Sequence, residues 1–256
     1  MDAETPKAVE LTIPQAFLLL ATNDSDGKLE LPVFALRTAL AGAILAELDL
    51  TGAIGLQGKH VKATGATPQT DFQHELELIR GKSRPHTPKA WVSMLEGRAE
   101  VQRVYDGMVS LGIVEQVGEK HLGVFRTMRY PEKDHAPEAA LLKRIEAELS
   151  GAPAGAAPAT PSAAATSDAN AADAAAPTGA PSDAATPTAA KPGAKGKDTR
   201  TMALIALLQA AGLLGKLFPE ADRSWASELS KEYWPARAVE DELLMIRLAE
   251  EEAATL

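Results

Sequence analysis

The residue types that most often carry chemistry are sparse in this chain. It has 256 residues, five histidines and no cysteine, which excludes a thiolate metal site, a disulfide framework and a cysteine nucleophile. Asp24 and Asp26 have the spacing of calcium ligands, but the remainder of a 12-residue calcium loop is missing. The histidines belong to no H-E-x-x-H motif or other close ligand pair; they are His60, His74, His86, His121 and His135. We therefore predict no metal site and no cofactor.

The segment GAIGLQGK, residues 52–59, has glycines that partly match a phosphate-binding loop. That loop requires a glycine where Ala53 stands and a serine or threonine where His60 stands. A β-hairpin that turns at Gly58 and Lys59 is the favoured interpretation.

Glu47 interrupts the apolar stretch FALRTALAGAILAELDLTGAIGL, residues 34–56. A buried carboxylate of this kind is either catalytic or a structural partner for an arginine or a backbone amide, and we favour the structural role. No G-x-S-x-G elbow marks a nucleophilic serine, although a Ser-His-Asp array from distant residues stays open. We expect no catalytic residues and predict that the protein is not an enzyme.

The apolar stretch belongs to a predicted helix over residues 31–50, in which Leu36, Leu40 and Ile44 recur at helical spacing. Alanines and Gly42 give one side of this helix only small side chains or none. Because glycine costs a helix about 1 kcal/mol relative to alanine, Gly42 indicates a close neighbour, such as another helix axis.

The other periodic segments are also mostly helical. We predict helices over 13–24, 88–112, 137–151, 201–218 and 237–256, and hairpins over 52–65 and 113–131, the second turning near Gly118. The fold class is therefore mainly α, a single compact helical domain with one or two small β-hairpins.

Composition divides the chain at residues 151–197, which contain 20 alanines and 7 prolines and no Leu, Ile, Val, Met or aromatic residue. Such a segment cannot offset its ordering entropy, and we predict a disordered insertion. Residues 1–150 would form the first part of the domain, and residues 198–256 the helices that complete it. The apolar run after Asp198 is shorter than the ~20 residues that a bilayer requires, and Gln209 interrupts it.

The net charge of −9 argues against a nucleic-acid partner, because phosphate-binding proteins are usually basic. The N-terminal sequence MDAETPKAVE lacks the features of a secretory signal, so we expect a cytoplasmic protein. Helices followed by hairpins are also compatible with a winged-helix DNA binder, which stays open as the least favoured alternative.

Several segments, in this order, resemble the Golgi phosphoprotein 3 family, and in particular its bacterial branch. They are LLLATNDSDGKL, ALAGAILAELDLTGAIGL, DGMVSLGIVEQ, VFRTMRYP and ALIALLQAAGLLGKLF. The pattern L-x-G-x-x-L-x-E-L followed by a glycine-marked hairpin is the most specific part. The resemblance implies a mainly helical, non-enzymatic domain with a projecting hairpin. Its eukaryotic members are peripheral membrane proteins that bind phosphatidylinositol 4-phosphate and the cytosolic tails of Golgi glycosyltransferases.

The resemblance also implies a lipid-headgroup pocket built from a tryptophan, an arginine nine residues later and an R-x-x-R pair. Arg98 matches the first arginine of that pair. Pro32, Ala41 and Val101 stand at the other three positions.

Two further arginines, Arg37 and Arg103, lie close enough in sequence to rebuild a basic pocket with Arg98, and Phe34 lies near Pro32. We therefore predict that Arg98, Arg37 and Arg103 bind lipid.

The leading hypothesis is a peripheral membrane adaptor that binds anionic phospholipid, with cytosolic tails of membrane proteins as further partners. A homo-oligomer is compatible with it. The alternative is a protein-interaction scaffold that has lost lipid binding.

Overall fold

The computed structural model describes residues 10–121, 125–151 and 198–254. These ranges contain ten helices and two antiparallel strand pairs: α1 Ile13–Leu20, α2 Val33–Leu50, β1 Ile54–Gln57, β2 His60–Ala63, α3 Gln73–Gly81, α4 Pro88–Leu95, α5 Arg98–Ser110, β3 Val117–His121, β4 Phe125–Arg129, α6 Ala136–Gly151, α7 Thr199–Ala210, α8 Leu214–Leu217, α9 Ser224–Glu232 and α10 Trp234–Ala254. The predicted mainly α fold with small hairpins is confirmed. The predicted insertion, apart from Gly151, lies outside the described residues, so the division of the chain there stays a prediction.

Helix α2 lies at the centre of the fold, with α1, α4, α7 and α10 packed around it. Its small residues allow this close packing, because Gly42 faces α10 directly. A Cβ built on Gly42 would lie 2.2 Å from Cγ2 of Val239, well inside van der Waals contact. The close neighbour that the mid-helix glycine indicated is therefore present.

Helix α1 begins with a complete capping box. The Thr12 side chain accepts from the backbone of Gln15, and the Gln15 side chain accepts from the backbone of Thr12. Pro14 stands in the first turn. Backbone N–H groups there have no helical acceptor, so the missing N–H of proline removes no helical hydrogen bond. All eight residues of α1 are buried, so the helix is part of the core.

Helix α7 packs on α1, α2, α6, α9 and α10. Asp198 caps its start by accepting from the backbone N–H of Arg200. The buried residues of α7 belong to the same hydrophobic cluster as those of α1 and α2. Residues on both sides of positions 152–197 thus share one core.

Several predicted boundaries are wrong. The helix expected over 13–24 ends at Leu20. The helix expected over 88–112 divides into α4 and α5, because Gly97 adopts an extended conformation and begins a new helix. The helix expected over 201–218 ends at Ala210, since Gly212 takes a left-handed φ of +74°. Gly118 lies inside β3, paired with Met128, and the connection between β3 and β4 falls at residues 122–124, outside the described ranges.

The first hairpin matches its prediction. Gln57 pairs with His60, so Gly58 and Lys59 form a two-residue turn in which Gly58 has φ +62°. This confirms the hairpin interpretation of residues 52–59.

None of the helices in the described ranges combines the length and the apolar composition needed to cross a bilayer.

Candidate functional site

The start of α2 lies beside the junction between α4 and α5. The hydroxyl of Thr38 donates to Oε2 of Glu96 at 2.8 Å, which joins the two elements directly. Arg37 precedes Thr38, and Arg98 follows Glu96 by two residues. Arg37 and Arg98 therefore each lie within two residues of this contact.

Arg37 and Arg98 are both available to a ligand. Arg98 is exposed at the first position of α5, and Arg37 is half-buried on α2. In the part of the chain that the structure describes, neither side chain forms an ion pair or a hydrogen bond. Glu96 and Glu100, the carboxylates nearest to Arg98 in sequence, contact Thr38 and Arg103 instead.

The N-termini of α2 and α5 add partial positive charge to this surface. The first backbone N–H groups of a helix have no intrahelical acceptor. In α2 and α5 the N-cap residues, Pro32 and Gly97, provide no side-chain acceptor for them either. The carboxylate of Glu100 folds back over Gly97 and offsets part of this charge at α5. The start of α2 has no acidic residue in its first turn.

Two large apolar side chains stand at the same end of α2. Val33 is 51% exposed and Phe34 is 37% exposed, and Pro32 before them is also exposed. Arg37 follows these residues on the same helix.

Arg103 lies elsewhere. At 100° per residue, it projects about 140° around α5 from Arg98. Its guanidinium pairs with the fully buried carboxylate of Glu75 on α3, and Nη2 lies 3.9 Å from Oε1 of Glu100. Two carboxylates thus neutralise Arg103, which ties α5 to α3.

The two family pocket positions on α2 and α5 that lack arginine are part of the core. Ala41 is fully buried, and Val101 is partly buried against the hydrophobic cluster. The small apolar side chains at these positions replace two of the cations that the resemblance implies.

Glu47 has the structural role that the sequence favoured. Its Oε2 accepts from the backbone N–H of Ile13 at 2.7 Å and from Nη2 of Arg200 at 2.7 Å. Arg200 also donates to the carbonyl of Leu11 at 3.4 Å. The carboxylate therefore joins α2, the start of α1 and α7, and both of its oxygens are engaged.

A second group of polar residues comes together where sequence reasoning expected nothing. Asp24, Glu132 and His135 place one ligand atom each within 4.8 Å of one another. The signal that the histidine search missed is E-x-x-H-x-x-E, formed by Glu132, His135 and Glu138, because that search considered H-E-x-x-H and not other carboxylate–histidine spacings.

Two surface clefts lie away from Arg37 and Arg98. One, of about 460 Å³, lies between the end of α6 and residues 217–222. The other, of about 360 Å³, lies between α1, α3 and α5 and includes Arg103. Neither of these two clefts includes Arg37 or Arg98.

The sequence model of a known family, Golgi phosphoprotein 3 (GPP34), matches residues 13–246, which is most of the chain. No curated protein matches the chain.

Proposed function

Because the chain belongs to the Golgi phosphoprotein 3 family, we propose that it is a non-enzymatic, peripheral membrane adaptor on the cytoplasmic side. The surface formed by the starts of α2 and α5 binds anionic phospholipid headgroups. We call it the α2–α5 surface and define it by Val33, Phe34, Arg37 and Arg98.

One observation carries this proposal. Arg37 and Arg98 have no ion-pair partner in the described residues, and Arg37 follows the exposed apolar pair Val33 and Phe34 by one helical turn on α2. An arginine on an ordinary acidic surface gains by pairing with a nearby carboxylate. Glu96 and Glu100 contact Thr38 and Arg103, and neither carboxylate pairs with Arg98.

The expected affinity is modest. Each basic side chain near an anionic membrane contributes about 1 kcal/mol, so two arginines alone hold the protein weakly. Insertion of Val33 and Phe34 adds apolar burial of about 1–2 kcal/mol per side chain. Self-association would strengthen attachment further, since linked weak sites bind with higher overall affinity.

Headgroup selectivity should be weaker than the family resemblance implies. Phosphatidylinositol 4-phosphate is the lipid that the resemblance implies, and a pocket for it needs several cations converging on one phosphate. Ala41 and Val101 remove two of them. We therefore propose that binding follows the total anionic charge of the membrane more than the identity of the headgroup.

Flotation with liposomes tests the proposal. The parent should float increasingly with phosphatidylserine content and less at high salt, because screening weakens exposed contacts. Arg98→Ala and Arg37→Ala should each weaken binding by about fivefold, which corresponds to about 1 kcal/mol. Arg237→Ala, a change at an exposed arginine of α10, is the matched control and should float like the parent.

Comparison of phosphatidylserine with phosphatidylinositol 4-phosphate at equal membrane charge tests the selectivity. Equal flotation supports binding by charge, whereas strong preference for the phosphoinositide would mean that a specific pocket has been rebuilt. Failure of the parent to float at any anionic content would remove the lipid proposal.

A protein-interaction scaffold is the second candidate, and helix α10 favours it. Leu244, Met245 and Leu248 are each at least 50% exposed and lie within two turns of α10. A scaffold of this kind would bind the cytosolic tails of membrane proteins, or a second copy of the chain, through this surface of α10. It predicts that Leu248→Glu abolishes partner binding or self-association while flotation is absent from the start.

A further inference from the structure

A compact polar cluster lies where the loop after α1 meets the start of α6. Asp24 comes from the loop, and Glu132 and His135 come from the segment that leads into α6. Their ligand atoms lie within 4.8 Å of one another, and Nδ1 of His135 directly contacts Oε2 of Glu132. Asp24 and His135 face solvent, whereas the Glu132 side chain is only 2% exposed.

A fourth carboxylate closes the inner side of the cluster. Glu138, in the first turn of α6, is 7% exposed, and its carboxyl group lies against that of Asp24. Oε2 of Glu138 and Oε1 of Glu132 are buried without a hydrogen-bond partner among the described residues. Because a buried oxygen without a donor is costly, these atoms indicate a bound proton or cation.

The charges of the cluster also lack protein partners. Among the ion pairs of the described residues, none joins Asp24, Glu132 or Glu138 to a lysine or an arginine, and His135 is the one basic group in contact. Burial first, and then the neighbouring charges of Asp24 and Glu132, raises the pKa of the Glu138 carboxyl to about 8. Three carboxyl groups therefore lie together at this point of the fold without an ion pair to a lysine or an arginine of the described residues.

The backbone holds the cluster together independently of its side chains. The N–H of Glu132 donates to the carbonyl of Asp24 at 2.9 Å. Gly27, with φ +64°, lets the loop approach so closely that a Cβ there would lie 2.5 Å from the backbone nitrogens of Tyr130 and Pro131. The side chains are thus positioned before any ligand arrives, as a binding site requires.

We propose that Asp24, Glu132, His135 and Glu138 bind one divalent transition-metal ion, Zn²⁺ or Mn²⁺. Three carboxylates and one imidazole nitrogen suit these ions, whereas Ca²⁺ and Mg²⁺ prefer oxygen ligands alone. The ion would neutralise most of the negative charge and give the two unpartnered oxygens a ligand role. It would also link the loop after α1 to α6 and so stabilise the fold.

Titration of the full chain, purified without a histidine tag and stripped with a chelator, tests the site. Isothermal titration calorimetry with Zn²⁺, Mn²⁺, Ca²⁺ and Mg²⁺ should show one ion bound per chain, with Zn²⁺ or Mn²⁺ tightest. The melting temperature should rise by several degrees with that ion, because it binds the folded chain preferentially. A parent that binds none of the four ions would overturn the proposal.

Two variants and a matched control locate the ion. Glu138→Gln and His135→Asn should each weaken metal binding at least tenfold and remove the rise in melting temperature. His74→Asn, a change at an exposed histidine of α3, should bind like the parent.

Equal weakening by His74→Asn would place the ion elsewhere. A shared proton, instead of an ion, would be shown if Glu138→Gln raised the metal-free melting temperature while the parent gained nothing from metal. Either result overturns the site.

Discussion

Single residues in this chain link distant parts of the fold, and Glu47 is the clearest case. Its carboxylate joins α2 to the backbone of Ile13 and to Arg200 of α7. Glu47→Ala leaves Arg200 without its main partner in a largely buried position and frees the N–H of Ile13. We expect a loss of about 2–3 kcal/mol of unfolding free energy, at the low end for a broken buried pair, because Arg200 keeps some solvent contact.

Denaturant unfolding measures this loss. Arg144→Ala is the control, because the Arg144 side chain is exposed and its Nη1 lies 4.0 Å from the Asp198 carboxylate, an arrangement worth about 0–1 kcal/mol. If Glu47→Ala cost no more than Arg144→Ala, the link between α2 and α7 would not be a major source of stability.

Asp49, at the end of α2, makes stability depend on pH. Burial raises the pKa of its carboxyl to about 6 from 3.8, although a hydrogen bond from Trp234 opposes the shift. A carboxyl whose folded pKa is raised stabilises the fold fully below the unfolded value, and this contribution is lost as the pH rises through the folded value. Stability should therefore fall between about pH 4 and pH 6 and then level off.

Asp49→Asn should remove that fall, because the amide carries no charge and still accepts from Trp234. After allowance for partial solvent exposure, we expect the variant to be about 1–2 kcal/mol more stable than the parent at pH 7 and equal to it near pH 4. Unfolding free energies across this range measure the difference. A variant that followed the parent at every pH would show that Asp49 is well solvated.

At the residue scale, the role of a side chain could be predicted where its type alone required a partner. A lone glutamate in an apolar helix had to find a donor, and Glu47 has one. Sequence could not show that Arg103 would face Glu75, because α3 was not predicted. Nor could it show that Asp24 would meet Glu132, since that contact depends on how the loop after α1 packs.

At the scale of helices, the contact between α2 and α10 can be tested at Gly42. Helix propensity alone predicts that Gly42→Ala stabilises the protein by about 1 kcal/mol. Packing predicts the opposite, because the new Cβ would lie 2.2 Å from Val239, and overpacking costs about 1–3 kcal/mol. We expect a net loss of about 1–2 kcal/mol.

Val239→Ala should relieve the clash, so the double variant should lose less than the sum of the two single losses, by about 1 kcal/mol. Gly81→Ala is the helical control, because nothing lies within 4 Å of its Cβ position, and it should be neutral or stabilising. Stabilisation by Gly42→Ala itself would mean that α10 does not pack closely on α2.

Predictions for the elements succeeded where the local sequence pattern was strong. Helix α2 and the first hairpin show this, with apolar spacing in one and a glycine turn in the other. The helix over 88–112 was predicted as continuous because its apolar spacing persists through Gly97, and only the extended conformation of that glycine separates α4 from α5. Helix α10 packs on α2 and α4, yet Leu244 and Leu248 are exposed, so only part of its apolar pattern is buried.

At the scale of the whole molecule, lipid binding at the α2–α5 surface requires one orientation. Membrane binding must present the start of α2 to the bilayer, with Arg37 and Arg98 at the headgroups and Val33 and Phe34 below them. This orientation combines the charge of the arginines with apolar insertion. It explains how a chain with a net charge of −9 can approach an anionic surface through a local patch.

The absence of cysteine allows one measurement to test this orientation directly. An environment-sensitive fluorophore attached through Val33→Cys reports on the α2–α5 surface alone. The same label at Lys231→Cys, an exposed position of α9, is the matched control. Phosphatidylserine vesicles should shift the emission of the label at position 33 to shorter wavelength, and high salt should reverse this shift. The label at position 231 should not respond. No shift at position 33, or an equal shift at both positions, would contradict this orientation.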